Sequence, residues 1–131
     1  MQRRALLLQS TAVLSASLLV RPAAAAQGVT VIYIGGWDCP YCVAWKNENK
    51  AKWLASDLYK KVRYVEVDPP RLKEAYEERY WPDELWPVLK QVPRKSGTPR
   101  FLVVKNGKMV ANEFGSTKWN QALAAIAKAV G

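Results

Sequence analysis

The chain has 131 residues, a length that fits one domain with a modest hydrophobic core. It contains no histidine, which excludes Ser-His-Asp and Cys-His nucleophile systems and haem attachment through a Cys-x-x-Cys-His motif. The formal net charge is +9, but the basic residues are scattered along the chain, so we expect a solvated surface and no nucleic-acid binding.

Residues 1–26 have the features of a secretory signal peptide. Arg3 and Arg4 precede an apolar run over residues 5–20, and three alanines then offer small side chains for cleavage. The run is short for a membrane span and contains polar residues, so an uncleaved anchor is the less favoured alternative. We expect export to a bacterial periplasm or a similar oxidising space, by the general secretory route or a twin-arginine route. The mature domain is then residues 27–131.

The mature domain begins with a predicted strand over residues 29–34, an apolar run rich in β-branched side chains. A glycine pair follows, and then Cys39 and Cys42, the only cysteines in the chain. Residues 43–59 are rich in helix formers, so the helix that starts at the cysteine pair is predicted to run to about residue 59. A strand, a glycine turn and a Cys-x-x-Cys motif at the start of a helix together predict thiol redox chemistry. The first N–H groups of a helix lack intrahelical partners and carry partial positive charge, so a thiolate is stabilised there.

Each residue of the motif has an expected role. Cys39, at the helix start, is the expected reactive thiolate, and Cys42, one turn further in, should be more buried. Pro40 fits the first helical turn, where its missing N–H costs nothing, and Tyr41 should be exposed and able to touch a substrate. A purely structural disulfide is disfavoured because so small a ring constrains the unfolded chain very little. Two thiols cannot complete a zinc site without a second chain, so no metal is expected.

The middle of the chain predicts a second strand and then an insertion. Residues 62–67 alternate between apolar and polar side chains, and the intervening helix makes this strand parallel to the first. Residues 71–91 form a helical insertion, with helix-prone segments over residues 71–80 and from Asp83. Its aromatic residues either build a local core or form a docking surface beside the redox pair, and the sequence leaves both interpretations open. They are Tyr76, Tyr80, Trp81 and Trp86.

The last part of the chain predicts a hairpin and a helix. Residues 100–105 and 109–114 are apolar runs joined by an Asn-Gly pair, which is a strong hairpin signal. The final helix is predicted over residues 118–130, with Ser116 or Thr117 as its cap. The order of elements is therefore β-α-β-α-β-β-α, which predicts an α/β fold.

Two short motifs carry a resemblance to a known family. The run Cys39 to Cys42 resembles the active-site tetrad of glutaredoxins, and Gly97-Thr98-Pro99 before a strand is a second mark of the thioredoxin-like superfamily. The resemblance covers residues 29–130 and implies a thioredoxin-like fold with a mixed four-stranded sheet flanked by helices. It also implies that Pro99 is cis and faces the redox pair, and that the Thr98 backbone pairs with an extended client segment. The substrate-binding residues expected from it are Trp37, Pro40, Tyr41, Thr98 and Pro99.

The chain departs from the family patterns at several positions. Thioredoxins carry a buried acid six residues before the first cysteine, where this chain has Tyr33, and a Trp directly before that cysteine, where it has Asp38. Asp38 would disfavour the thiolate by like-charge repulsion; Lys46 could offset it, although a solvated face is the expected role of Lys46. The residues by which glutaredoxins hold glutathione are missing at positions 36–38 and 115–117, so glutathione is not an expected cofactor.

These features together predict an exported thiol–disulfide oxidoreductase. The Cys39 thiolate would attack a client disulfide, and Cys42 would then resolve the mixed disulfide. A reductant or shuttle is the preferred interpretation. The alternatives are a disulfide-forming oxidant, a client-binding or chaperone-like module, and a glutathione-dependent reductase, which would show saturable dependence on glutathione. The expected partners are protein clients and a membrane electron-transfer protein that recycles the pair, and the protein is expected to be a monomer.

Overall fold

The computed structural model describes residues 28–93 and 95–131 of the chain, so the predicted signal peptide lies outside the described residues. Four strands form one mixed sheet in the order β2-β1-β3-β4. β1 pairs in parallel with β2 and antiparallel with β3, and β3 pairs antiparallel with β4. The strands are β1 Val29–Ile34, β2 Arg63–Val67, β3 Arg100–Lys105 and β4 Lys108–Phe114. The predicted four-stranded mixed sheet is therefore confirmed.

The hairpin between β3 and β4 turns where the sequence predicted it. Asn106 and Gly107 have φ of 50° and 81°, so both adopt the left-handed conformation that a two-residue hairpin turn requires. One irregularity in the pairing lies between Val103 and Val104, where the register with β4 shifts.

The helix at the redox motif starts at Pro40, as predicted, but it is not the single helix expected to run to about residue 59. It passes through a π-helical turn and ends at Leu54. Ser56 has extended backbone angles and caps a separate short helix, because its Oγ accepts a hydrogen bond from the Tyr59 N–H at 3.2 Å. The segments are α1 Pro40–Trp45, the π-helical turn Lys46–Lys50, α2 Ala51–Leu54 and α3 Asp57–Lys60.

The insertion before β3 contains short turns where a helix was predicted over residues 71–80. Its aromatic side chains pack inward: Tyr76 and Trp81 are buried, and the Trp81 Nε1–H donates to the Ala75 carbonyl at 2.7 Å. The structure thus favours the local-core interpretation for these two residues. The segments are three 3-10 turns, Leu72–Glu74, Glu78–Tyr80 and Asp83–Leu85, followed by the helix α4 Trp86–Leu89.

The last helix, α5, spans Trp119–Val130 and follows a 3-10 turn over Ser116–Lys118. The expected side-chain cap is wrong, because Lys118 occupies the cap position and neither Ser116 nor Thr117 makes a capping hydrogen bond there. The chain instead enters α5 through the 3-10 turn, in which the Lys118 N–H donates to the Gly115 carbonyl at 3.0 Å.

Both faces of the sheet are covered, and alternate residues of the central strands enter two different cores. One core contains the redox pair and aromatic side chains from β1, β3, α1, α2 and α5: Tyr33, Cys39, Cys42, Trp45, Trp53, Phe101 and Trp119. The other lies under the insertion: Ile32, Ile34, Val67, Trp81, Leu85, Leu102 and Val104. Within the described residues, no helix is long and apolar enough to cross a membrane.

Candidate active site

The two cysteines lie at the start of α1 and are joined by a disulfide, with their Cα atoms 5.2 Å apart. Cys39 is the N-cap residue, and its Sγ accepts a hydrogen bond from the Cys42 N–H at 3.2 Å. Pro40 occupies the first turn, as predicted. Cys39 is 2% exposed and Cys42 is fully buried, so a partner must approach the pair through the Cys39 sulfur.

Thr98 and Pro99 lie directly before β3, and the fold brings Thr98 into contact with the redox pair. The Thr98 hydroxyl donates to the Cys39 Sγ at 3.3 Å, and the Thr98–Pro99 peptide bond is cis, as the resemblance implies. The Pro99 carbonyl accepts a hydrogen bond from the Gly115 N–H at 2.8 Å, which fixes this loop to the end of β4. Cys39 Sγ therefore has a second donor that the motif itself does not contain.

Two aromatic side chains beside the redox pair face solvent. Trp37 is 67% exposed and Tyr41 is 69% exposed, so the predicted exposure of Tyr41 is confirmed. Leu72, from the insertion, is 36% exposed and contacts the same loop. Together these three side chains form an exposed apolar surface around the redox pair, which we call its rim.

The loop that carries Asp38 is pinned to the insertion. The Asp38 Oδ1 accepts a hydrogen bond from the Leu72 N–H at 2.7 Å, and the Trp37 N–H donates to the Pro69 carbonyl at 3.0 Å. A Cβ on Gly36 would lie 2.6 Å from the Leu72 backbone, so this approach requires glycine. The Leu72 N–H satisfies one oxygen of the Asp38 carboxylate and fixes its position beside the insertion. The local sequence does not predict the hydrogen bond between Leu72 and Asp38, because the two residues lie 34 positions apart.

Lys46 does not occupy the solvated face expected for it. Its ammonium forms an ion pair with Asp68, just after β2, and its side chain is only 27% exposed. One turn further on, Lys50 Nζ lies 2.6 Å from the Oε1 of Glu66, which also accepts a hydrogen bond from the Tyr64 hydroxyl at 3.2 Å. These five polar side chains lie between β2, at the edge of the sheet, and the helical run of residues 40–54, which we call the redox helix. We call the five residues the β2 ladder.

Tyr33, at the position where thioredoxins carry a buried acid, lies next to the β2 ladder. Its side chain is fully buried and stacks on Trp45, with ring centroids 4.8 Å apart. Burial raises the pKa of Tyr33, and the nearby carboxylates of Asp68 and Glu66 raise it further. The hydroxyl therefore stays protonated at neutral pH and cannot act as a general base.

No group of three or more His, Cys, Asp or Glu side chains is placed to hold a metal ion within residues 28–93 and 95–131. The chemistry available at the site is that of the two sulfur atoms and the groups that contact them. The substrate-binding roles assigned to Trp37, Pro40, Tyr41, Thr98 and Pro99 remain predictions, although the structure places all five around the redox pair or beside its first helical turn.

No protein-family model matches the chain, and no curated protein matches it in sequence. Solved structures do match. A thioredoxin of Malassezia sympodialis has 19% identity and a TM-score of 0.55, over 80% of this chain and 77% of that one. Thioredoxin f from spinach chloroplast has 20% identity and a TM-score of 0.54, over 86% and 88%. Thioredoxin f2 of Chlamydomonas reinhardtii has 16% identity and a TM-score of 0.50, over 77% and 78%. The chain therefore has a thioredoxin-like fold.

Proposed function

We propose that the protein is an exported thiol–disulfide oxidoreductase that exchanges disulfides with protein clients. The observation that carries this proposal is the environment of the Cys39 sulfur. It lies at a helix start, where it accepts hydrogen bonds from the Cys42 N–H and the Thr98 hydroxyl. Both donors stabilise a thiolate at Cys39 once the disulfide is reduced, and a thiolate is the nucleophile of disulfide exchange.

In the reducing direction, the Cys39 thiolate attacks one sulfur of a client disulfide. A mixed disulfide forms, and the other client sulfur leaves as a thiolate. Cys42 then attacks the Cys39 sulfur, which re-forms the Cys39–Cys42 disulfide and releases the second client thiol. Two electrons pass to the client, and the reverse sequence oxidises it. Because Cys42 is fully buried, it meets only the sulfur beside it and not a second client.

The client would bind across the exposed rim of the redox pair. Trp37 and Tyr41 offer apolar surface on one side of Cys39. On the other side, the Thr98 backbone would pair with an extended client segment as an added strand. A membrane electron-transfer protein is the proposed recycler, and the protein is proposed to act as a monomer in the periplasm.

The proposed direction is that of a reductant or shuttle. An oxidant is the second candidate, and the Thr98 hydroxyl favours it, because a donor that stabilises the reduced form raises the reduction potential. Equilibration of the pair against a dithiol buffer decides between them. A potential of about −200 to −270 mV supports the reductant or shuttle, and a potential near about −120 mV supports the oxidant.

The activity is tested by reduction of insulin disulfides with dithiothreitol, with and without the protein. We expect the wild type to accelerate precipitation of the insulin B chain, and Cys39→Ser to abolish this effect. If Cys39→Ser retains full activity, the proposed role of Cys39 is wrong. A client-binding module would instead keep its clients when both cysteines are replaced, and the wild type would show no turnover.

Export is tested separately with the full chain in a bacterial host. We expect the mature domain, starting after residue 26, to be recovered from the periplasm. Replacing Arg3 and Arg4 with lysine should block this if the route is twin-arginine and leave it unchanged if the route is the general one. Recovery of the unprocessed chain in the cytoplasm of cells making the wild type would contradict the proposed location.

A further inference from the structure

The proposed exchange leaves one proton without an acceptor, and the inference drawn here rests on that proposed function. Cys42 must lose its thiol proton before it attacks the mixed disulfide, but its side chain is fully buried and has no direct access to solvent. Tyr33, in the same buried cluster, keeps its hydroxyl protonated and cannot take the proton. The acceptor must therefore be another group on this face of the sheet.

The β2 ladder contains two carboxylates, and they differ in what they contact. Both oxygens of Glu66 are engaged: Oε1 by Tyr64 and Lys50, and Oε2 by Lys50 at 3.1 Å. Asp68 uses only Oδ2, in its ion pair with Lys46. Its Oδ1 is buried and has no hydrogen-bond partner among the described residues. Since buried polar atoms are normally paired, this free carboxylate oxygen needs an explanation.

Asp68 is also the carboxylate at the redox end of the ladder. The residues on either side of it hold the segment of residues 35–38 before Cys39, which we call the redox loop. The Val67 carbonyl accepts from the Gly35 N–H at 2.8 Å, and the Pro69 carbonyl accepts from the Trp37 N–H at 3.0 Å. Besides burial, both carboxylates of the ladder raise the pKa of Tyr33, and Asp68 raises it more than Glu66 does. The free oxygen of Asp68 therefore lies at the end of β2 that borders the redox loop.

The partner of Asp68 comes from the redox helix itself. Lys46 follows Cys42 by four residues, and its N–H donates to the Cys42 carbonyl, so the two side chains lie on the same side of the helix. The π-helical turn that begins at Lys46 lets both Lys46 and Lys50 reach acids of the β2 ladder. The ion pair thus ties Asp68 to the helical turn that follows Cys42.

We propose that the Asp68 carboxylate, held by Lys46, accepts the proton of Cys42 in the resolving step. The S–H bond of Cys42 breaks, and its proton goes to Asp68. The Cys42 sulfur then forms a bond to the Cys39 sulfur while the bond between Cys39 and the client sulfur breaks. The client sulfur leaves with the electron pair as a thiolate, and Asp68 returns the proton to it or to solvent. The ionisable groups around Asp68 are Lys46 from the redox helix, Tyr33 from β1, and Glu66 and Tyr64 from β2, with Lys50 behind Glu66.

The two chemical steps can be separated with 5,5′-dithiobis(2-nitrobenzoate). Reduced protein releases one equivalent of thionitrobenzoate when Cys39 attacks the reagent, and a second when Cys42 resolves the mixed disulfide. Rapid mixing across a range of pH gives a rate for each phase. Asp68→Asn tests the carboxylate, and Glu66→Gln is the matched control because it changes the other lysine-paired acid on the same strand face.

We expect Asp68→Asn to slow the second phase on the order of 100-fold at neutral pH, the usual contribution of a general base, and to leave the first phase within about twofold. Glu66→Gln should leave both phases within about twofold, and Asp68→Glu should recover part of the second phase. If Asp68→Asn does not fold, Lys46→Gln supplies the test. Without the ammonium the carboxylate is no longer held beside the helix that carries Cys42, so the second phase should slow while the first phase stays within about twofold.

Three results would overturn the inference while leaving the proposed function intact. They are an unchanged second phase in Asp68→Asn, an equal loss in Glu66→Gln, and equal slowing of both phases in Asp68→Asn. An unchanged second phase in Lys46→Gln would overturn it as well. A wild-type protein that releases only one equivalent of thionitrobenzoate would overturn the proposed function, and this inference with it.

Discussion

Replacing Thr98 with valine removes one hydrogen-bond donor from the Cys39 sulfur and little else. Valine has nearly the shape of threonine but lacks the hydroxyl that donates to Cys39 Sγ at 3.3 Å. The remaining donor in the described structure is the Cys42 N–H, at 3.2 Å. Because a hydrogen bond to a charged acceptor is stronger than one to a neutral sulfur, the loss destabilises the reduced form more than the disulfide.

The size of this effect follows from the strength of the hydrogen bond. A hydrogen bond to a charged group contributes about 1.5–3 kcal/mol, and we take about 1.5 kcal/mol because Thr98 is half-buried. For a two-electron couple, this corresponds to a shift of about 30 mV. The disulfide of Thr98→Val should therefore be harder to reduce, with a potential about 30 mV more negative than that of the wild type.

The assay is equilibration of each variant with a dithiothreitol redox buffer, followed by acid quenching and thiol labelling. Thr98→Ser is the matched control, because it keeps the hydroxyl and removes only a methyl group. We expect its potential to stay within about 10 mV of the wild-type value. The reasoning is refuted if Thr98→Val shifts the potential by less than about 10 mV, or if Thr98→Ser shifts it as far as Thr98→Val.

Three further predictions concern stability. Gly36→Ala should destabilise the fold by about 1–3 kcal/mol in urea unfolding, because its Cβ would lie 2.6 Å from the Leu72 backbone; unchanged stability would mean that the two loops are not in contact. Trp45→Ala should cost about 3–5 kcal/mol in the same assay, since its fully buried ring packs against three other aromatic rings, and a loss below about 1 kcal/mol would contradict that packing. The free energy of unfolding should be fully retained below the usual tyrosine pKa of 10.0 and fall as the pH rises above it, because burial raises the pKa of Tyr33 and Tyr64 in the fold while the unfolded chain ionises. Tyr64→Phe should flatten this fall in unfolding measured across the pH range, and an equally steep fall would show that Tyr64 does not cause it.

Features that depend on residues close together in the chain were predicted well from the sequence. The run of β-branched residues predicted β1 with the bounds that the structure shows. The Asn-Gly pair predicted the hairpin turn between β3 and β4. The position of Pro40 in the first turn of the redox helix was likewise predicted from neighbouring residues. The cis peptide bond at Pro99 came from the resemblance, through a motif of three residues.

The break in the helix that was expected to run to about residue 59 is also local, and the prediction missed it: Ser56 caps a separate helix by accepting from the Tyr59 N–H. Features that depend on distant partners were not predictable from the local sequence. Lys46 reads as a surface residue in any local window, but the fold brings Asp68 to it. The hydrogen bond from the Leu72 N–H to Asp38 likewise exists only because the insertion folds back onto the redox loop.

The most direct test of the central claim is to trap the mixed disulfide. Reduced Cys42→Ser, incubated with a disulfide-containing protein such as insulin and analysed by non-reducing electrophoresis and mass spectrometry, should accumulate a covalent adduct through Cys39. Cys39→Ser under the same conditions should accumulate almost none, because Cys42 is fully buried. Adducts that form through Cys42, or the absence of any adduct with Cys42→Ser, would contradict the account of Cys39 as the attacking sulfur.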